Sequence, residues 1–364
     1  MNVCIIGEGL TALSLAKSLI NKKINVHYYY KSRNSNFSSN RTIGISKSNF
    51  EFFKEKIFQI SKNNYWKINR IEIYTDKIDT ENLLKFENDK NDLFYIIKND
   101  ELLKSLNSNL IKSKFFKKII LSKNINEEFL NKKEYDLIIN CDANNFLAKK
   151  YFTKKISKNY YNLAYTTILK HKKIENNTAT QIFTKQGPIA FLPISSTETS
   201  VVYSMDIKNK KFDNSDVIDL INKNNPKYKI NKIDKLNSFE LSSSNLRNYY
   251  HKNILAFGDM LHRVHPLAGQ GFNMTIRDLR ILTKIIEDKI ELGMQLDSQI
   301  FDEFEKKTKD KNFVFSKAID LIYESFNLDK KVQNKSFSKI LKSIGKNKNL
   351  NNYFIKLADA GINF

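Results

Sequence analysis

The 364-residue chain has only two cysteines, Cys4 and Cys141, far apart and in no Cys-x-x-Cys pair. That argues against dithiol redox and zinc chemistry and for a reducing cytoplasm. No run of about 18 apolar residues occurs, so no transmembrane helix is expected. No basic leader precedes the strand-like Val3–Ile6, so no secretory signal is expected either. No helix-turn-helix, RRM or finger pattern is visible, which argues against a nucleic-acid partner. There is no internal repeat. Acidic residues are the minority, 39 against 61 Lys and Arg, for a net charge of +22. The lysines are spread along the chain, not gathered in one stripe. The excess reads first as a compositional bias toward Lys and Asn, and second as attraction to an anionic membrane surface. Glycine (10 residues) and proline (4) are scarce, where an average protein has about 7% and about 5%.

That scarcity makes clustering informative. Gly258, Gly269, Gly271 and Pro266 fall in one stretch, Ile254 to Arg280. The apolar run Ile254–Phe257 reads as a buried strand. Gly258-Asp259 ends it. His265-Pro266-Leu267-Ala268-Gly269-Gln270-Gly271 reads as a loop. From Asn273 a helix follows, with Phe272, Ile276, Leu279, Leu282 and Ile286 at helical spacing. A helix N-terminus fed by a glycine loop suits an anion or an electron-rich ring edge, and glycine lets backbone approach a flat ligand.

With 41% hydrophobic residues the chain can bury a sizeable core, and its length suggests two or three domains. Val3–Ile6, Gly7-Glu8-Gly9-Leu10-Thr11-Ala12, a helical stripe from Leu13 to Ile20, and Val26–Tyr30 have the dimensions of a dinucleotide-binding βαβ unit. Its second strand ends in Tyr30-Lys31, where such a unit places Asp or Glu for the ribose. Ser32–Asn40 reads as a loop, and Arg41 leaves it either as a solvated charge or as a phosphate contact. Ile71–Tyr74 and Phe94–Ile97 read as strands, Asn99–Leu110 as a helix, and Thr80–Asp92 as peripheral. Trp66, the single tryptophan, is assigned to core packing. Tyr135–Cys141 reads as a buried strand; Asp142 after it is a turn residue or a cofactor contact.

From Tyr160 the texture changes. Ala164–Leu169, Thr180–Phe183, Ile189–Leu192 and Thr199–Met205 alternate without helices between them, which predicts an antiparallel sheet. Asp213–Asn222 reads as a helix and Phe239–Leu241 as a last strand. The C-terminal region is helical over 301–326, 337–345 and 350–360; Phe337 to Gly345 is a basic amphipathic segment that suits a membrane surface or a core-packed helix.

GEGLTA at Gly7, RTIGIS at Arg41, GPIAFLP at Gly187 and above all GDMLHRVHPLAGQGFNMTIRD at Gly258 resemble the FAD-dependent aromatic hydroxylases of the p-hydroxybenzoate hydroxylase fold, most closely the ubiquinone-biosynthesis hydroxylase family. Order and spacing agree along nearly the full length. The resemblance implies an α/β fold: a Rossmann-like FAD-binding domain (1–64, 94–158, 248–300), an interleaved antiparallel-sheet substrate domain (65–93, 159–247) and a helical C-terminus (301–364). It implies that Gly7, Gly9 and Ala12 meet the FAD pyrophosphate, and that Asp259, beside Gly258, meets ribityl or phosphate hydroxyls. Pro266, Ala268, Gly269, Gln270, Gly271, Phe272 and Asn273 would line the isoalloxazine ring, with Arg41 and Asp142 as further cofactor contacts. The implied reaction is hydroxylation of a hydrophobic, prenylated phenol in ubiquinone biosynthesis, with O₂ activated on reduced flavin and NAD(P)H or another donor as transient reductant. No catalytic side chain and no metal is assigned; His262 and His265 are structural or flavin-adjacent. A quinone-biosynthesis complex and a cytoplasmic location, peripheral on the inner membrane, complete the expectation. Three positions depart from the family: Tyr30, Asp142-Ala143 in place of Asp-Gly, and Asp100 in place of Arg. The rival readings are a flavin reductase or halogenase-like relative, the halogenases' Trp-x-Trp-x-Ile motif being absent since Trp66 stands alone, and a flavin-poor scaffold.

Overall fold

The computed structural model describes residues 1–31, 41–75, 82–87, 92–121, 134–208, 212–332 and 347–361. The expected loop 32–40, part of 80–92 and the amphipathic segment 337–345 lie outside the described residues. β1 (Asn2–Ile6), α1 (Leu10–Asn21) and β2 (Asn25–Tyr30) open the chain. Val3 through Ile6 are fully or almost fully buried, as a central parallel strand requires. β3 (Thr42–Ser46) runs straight into α2 (Lys47–Phe52). β4 (Phe94–Lys98) leads to α3 (Asn99–Ile111), which buries Leu102, Leu106 and Leu110 at intervals of four. β5 (Phe116–Ile120) and β6 (Leu137–Asn140) follow. Then come the 17-residue β7 (Lys155–His171), β8 (Asn237–Leu246) and β9 (Ile254–Ala256). Three helices follow: α4 (Gln270–Glu291), α5 (Gln299–Val332) and α6 (Lys348–Ala360).

The first sheet has the order Tyr250–His251, β9, β6, β1, β2, β5, and every pair from β9 to β5 is parallel. Its register has one consequence for function. Ile6 and Ala256 both lie opposite Asn140, so the turns after β1, β6 and β9 leave the sheet at one edge. Ligands of open α/β sheets bind at that carboxyl edge.

The second sheet is larger. From one edge it runs His262–Arg263, β8, β7, Glu198–Asp206, Pro188–Pro193, Thr178–Phe183, Arg70–Thr75 and Leu84–Glu87. It is antiparallel apart from the pair Thr178–Phe183 with Arg70–Thr75, which is parallel because Arg70–Thr75 enters from an earlier part of the chain. One face packs Tyr165, Ile182, Phe191 and Tyr203 against the helix Asn214–Lys223. The other packs Tyr160, Ala164, Phe183 and Leu241 against Leu267, Met274 and α5. β3, β4 and Trp66–Ile68 form a small third sheet.

Several elements differ from expectation. α4 begins at Gln270, three residues early, because Gly269 takes the left-handed conformation (φ 62°) and turns the chain into the helix at once. Leu84–Glu87 is a strand, not peripheral chain, since it pairs with Arg70–Thr75. β7 starts at Lys155, so a sheet strand crosses the expected boundary at 158/159; a bulge between Asn159 and Asn162, with Tyr161 at φ 55°, lets it bend there. Trp66, by contrast, meets its expected packing role: half-buried, it lies against the cluster of Ile68, Ile96 and Ala179, and its indole N–H donates to the Asn176 carbonyl.

Candidate active site

The carboxyl edge of the parallel sheet carries three turns. After β1, Gly7 and Gly9 adopt φ 140° and 113°, which only glycine enters without strain. A Cβ on Gly7 would stand 3.0 Å from the Cys141 Cβ, whereas a Cβ on Gly9 would meet nothing within 4 Å. So Gly7 makes the turn fit against the neighbouring strand, and Gly9 faces open space. No side chain caps the α1 N-terminus. Ala12 is fully buried, the small residue that lets α1 lie close to the sheet. After β9, Gly258 (φ 68°) would, with a Cβ, come within 2.5 Å of Thr11 Cγ2. That close approach brings exposed Asp259 to the first turn of α1. Burial pushes the Cys141 thiol far up, reinforced by the carboxylates of Asp259 and Asp142. All three turns therefore converge. Asp142 is half-buried, and its carboxylate accepts from the Asn144 N–H at 2.8 Å, a local turn. Arg41 is exposed at the start of β3.

The loop before α4 forms a second centre. Asn273 is fully buried, and both ends of its amide are used. Its Nδ2 donates to the carbonyls of Gly44 (2.9 Å) and Gly269 (3.1 Å). Its Oδ1 accepts from the Ser46 N–H (2.9 Å) and the Asn49 Nδ2 (3.2 Å). The side chain is thus a clamp that fixes the loop against β3. A Cβ on Gly269 would lie 3.8 Å from the Gly44 backbone, so two glycine backbones face one another there. The α4 N-terminus also lacks a side-chain cap. Gln270, the first residue of that helix, is buried with neither amide atom partnered. Phe272 is half-buried against Phe53, and Pro266 is half-buried. Thr42 donates to Ser200 Oγ at 2.8 Å, tying β3 to the large sheet.

Beneath the loop lie its supports. His262 Nε2 meets Asp278 Oδ2 at 2.5 Å, and Asp278 Oδ1 accepts from Asn312 at 2.9 Å, so β-strand, α4 and α5 share one buried carboxylate. His265 is 1% exposed, stacks on Tyr323 at 4.3 Å and meets Tyr160 edge-on at 5.0 Å. Neither ring nitrogen has a partner. Burial, with the Lys158 ammonium adding to it, lowers its pKa to about 3, so it is neutral at physiological pH. A cavity of about 280 Å³ beside α2 is lined by Glu51, Lys54, Glu55, Lys67 and Tyr95 among others, and by none of the expected site residues.

The structure brings the expected residues into two groups: Gly7, Gly9, Ala12, Asp142, Gly258 and Asp259 at the sheet edge, and Pro266 to Asn273 at the loop. Ser46, Asn49, Asp278 and Asn312 went unread in the sequence. Ser46 and Asp278 end two of the quoted motifs, but the bonds that give them and Asn49 and Asn312 a role span 34 to 227 residues, which no local pattern marks.

This architecture, a parallel sheet with a glycine turn joined to a large antiparallel sheet through a glycine loop, is the fold of FAD-dependent aromatic monooxygenases. It superimposes on p-nitrophenol 4-monooxygenase from Pseudomonas putida with a TM-score of 0.76 at 12% identity, covering 100% of this chain and 98% of that one. Residues 160–305 match the FAD binding domain family. Among curated proteins the chain is similar to the mitochondrial ubiquinone biosynthesis monooxygenase COQ6 of Caenorhabditis elegans, 26% identical over 43% of this chain and 44% of that protein. It is also similar to 3-demethoxyubiquinol 3-hydroxylase of Escherichia coli, 28% identical over 40% of this chain and 39% of the relative. These alignments span less than half the length of each relative.

The residues present fit FAD at its ring end. The orphaned, buried Gln270 amide and the uncapped α4 N-terminus, beside the facing Gly44 and Gly269 backbones, offer polar groups for a ring edge. The open side of Gly9 and the uncapped α1 fit a phosphate. Among the described residues, β2 ends in Tyr30 where such a site normally places a carboxylate.

Proposed function

We propose that this chain is an FAD-dependent monooxygenase that hydroxylates the ring of a hydrophobic phenolic quinone precursor in ubiquinone biosynthesis. The observation that carries the reading is the loop Pro266–Asn273, held by Asn273 against β3, with the unpartnered Gln270 behind it. FAD, when bound, supplies electron transfer and oxygen activation. The chain's own residues do the rest. Gly7, Gly9 and Ala12 admit the pyrophosphate, and Asp259 binds ribityl hydroxyls. The amides at the start of α4 and its dipole stabilise negative charge on the ring edge. The closed packing of Ala164, Phe183, Leu267 and Met274 against α5 excludes water from the contact between the large sheet and α4. In this reading 1–64, 94–158 and 248–300 form the cofactor domain, 65–93 and 159–247 the substrate domain, and 301–364 the helical cover. The reductant, NAD(P)H or another donor, binds transiently.

The test is the visible spectrum of the purified protein after FAD addition and gel filtration, followed by turnover of a prenylated phenol with NAD(P)H. A retained flavin spectrum and an oxygenated product are expected. A protein that retains no flavin and makes no product would favour a scaffold instead.

The finer reading concerns location. No helix among the described residues is long and apolar enough to cross a membrane. α5, however, exposes Val314, Leu321 and Leu328 at intervals of seven, at 43%, 64% and 59%. Together with the net charge of +22, this stripe supports peripheral attachment to an anionic bilayer. Leu321→Asp with Leu328→Asp should reduce co-sedimentation with phosphatidylserine vesicles several-fold. Unchanged sedimentation would remove the membrane from the reading.

A further inference from the structure

The loop Pro266–Asn273 is held from behind by the far end of the chain. α2 begins without a side-chain cap of its own. The missing cap comes from α6. Asp359 Oδ1 accepts from the Ser48 N–H at 2.9 Å, across 311 residues. A carboxylate placed there satisfies an orphan N–H and meets the positive end of the helix. The Asp359 carbonyl accepts from Ser46 Oγ at 3.2 Å, and from Ser48 Oγ and Asn49 Nδ2 at 3.4 Å. Ser46 Oγ in turn accepts from Asn49 Nδ2 at 2.9 Å.

Ser46 and Asn49, both fully buried, are the residues whose N–H groups hold Asn273 Oδ1. One network therefore runs from α6 through β3 and α2 to the loop. On the other side of α2, Arg280 of α4 donates to the Ser48 carbonyl at 2.9 Å. α6 is also tied to the large sheet: Asn351 donates to the Lys85 carbonyl at 2.8 Å, and Leu357 packs on the cluster of Phe183, Leu267 and Met274. Packing alone would need only the Leu357 contact. Instead the polar groups of Asp359 converge on the two residues that fix Asn273, and such a network keeps its geometry only while each member is paired.

Resting on the reading of this loop as the flavin-ring site, we infer that α6 is a strap that sets the loop's geometry. Asp359 is its positioning residue, acting through Ser46, Ser48 and Asn49 on Asn273. Flavin retention thereby depends on the docking of the C-terminal helix. When α6 leaves, the Ser46 hydroxyl and the Asn49 amide lose an acceptor and turn to water, and the clamp loosens.

The test is hydrogen exchange of the flavin-free full chain, read by mass spectrometry over 44–50 and 266–273, together with FAD titration followed by flavin fluorescence. Asp359→Ala should speed exchange in both segments and weaken FAD about tenfold. Asp359→Asn keeps an acceptor for the Ser48 N–H and should restore most of both. Leu357→Asp puts a carboxylate into the apolar contact and undocks α6 without touching Asp359. It should act like Asp359→Ala, and it decides the matter if that variant does not fold. Asp320→Ala, which removes a buried carboxylate from α5, should lower the melting temperature yet leave FAD affinity within about twofold. Faster exchange confined to 44–50, or equal FAD affinity in Asp359→Ala and the unaltered chain, would overturn the inference and leave the hydroxylase reading standing. An unaltered chain that binds no flavin would overturn that reading and the control of flavin retention with it.

Discussion

At the scale of single residues, the most informative side chain is His265. It is neutral because burial denies it a proton, with a pKa lowered to about 3. In the unfolded chain it titrates at about 6.5. Between these values the unfolded state binds a proton that the folded state refuses, so this contribution is intact above about pH 6.5 and is lost as pH falls toward 3. The slope approaches about 1.4 kcal/mol per pH unit at its steepest. His265→Phe should therefore flatten the acid limb of the melting temperature against pH between 6.5 and 4. An acid limb of unchanged slope would show that other groups control it. Asn273 teaches a different lesson at the same scale. Its position after Gly269-Gln270-Gly271 suggested a ring-lining side chain. In the fold its amide is saturated by Gly44, Ser46, Asn49 and Gly269. The motif revealed that the residue matters; three of its four partners lie more than 220 residues away in β3 and α2, and that pairing was invisible to any local pattern.

At the scale of elements, α5 is joined to the large sheet by a polar seam within an apolar contact. Asp320 accepts from the Tyr160 hydroxyl, Tyr323 from Asn162 at 2.6 Å, and Ser316 from Asn245 at 3.0 Å. All six residues are buried. Buried polar groups stabilise only while paired. Asp320→Ala leaves the Tyr160 hydroxyl without its carboxylate and should cost about 1–3 kcal/mol in urea unfolding. Asp320→Asn keeps an acceptor and should cost less. Equal losses would mean that the charge itself, not the hydrogen bond, is what the seam requires. Elements with strong periodicity were legible in advance: α3 through Leu102 and Leu106, and β1 through its β-branched run. β5 was not, because only Phe116 is buried in it while Lys117, Lys118 and Ile120 face out. Such an edge strand shows no alternation. Its identity comes from pairing with β2, a tertiary fact.

At the scale of the molecule, charge is the property that composition made plain and the fold leaves uncompensated. The surface carries many i,i+4 pairs, among them Lys284–Asp288, Lys306–Asp302 and Lys309–Glu305. Exposed pairs of this kind contribute at most about 1 kcal/mol each, and salt weakens them. The net charge of +22 acts in the opposite sense. It repels itself in the compact state more than in the expanded chain, and salt relieves that repulsion as the Debye length falls from about 30 Å at 0.01 M to about 8 Å at 0.15 M. The two effects oppose each other. The pairs are nearly neutral dipoles whose fields fall off quickly, whereas the monopole sums over the whole surface, so relief of repulsion should win. Raising sodium chloride from 0.01 to 0.15 M should raise the melting temperature by a few degrees, on the scale where about 1 kcal/mol shifts a large domain by about 2–4 °C. Chloride is the right anion for this measurement, because a multivalent anion that bound the folded chain would stabilise it by mass action instead. A melting temperature that falls across this range would mean that local ion pairs outweigh the excess charge, and the lysines would then be part of the fold's stability instead of a load on it.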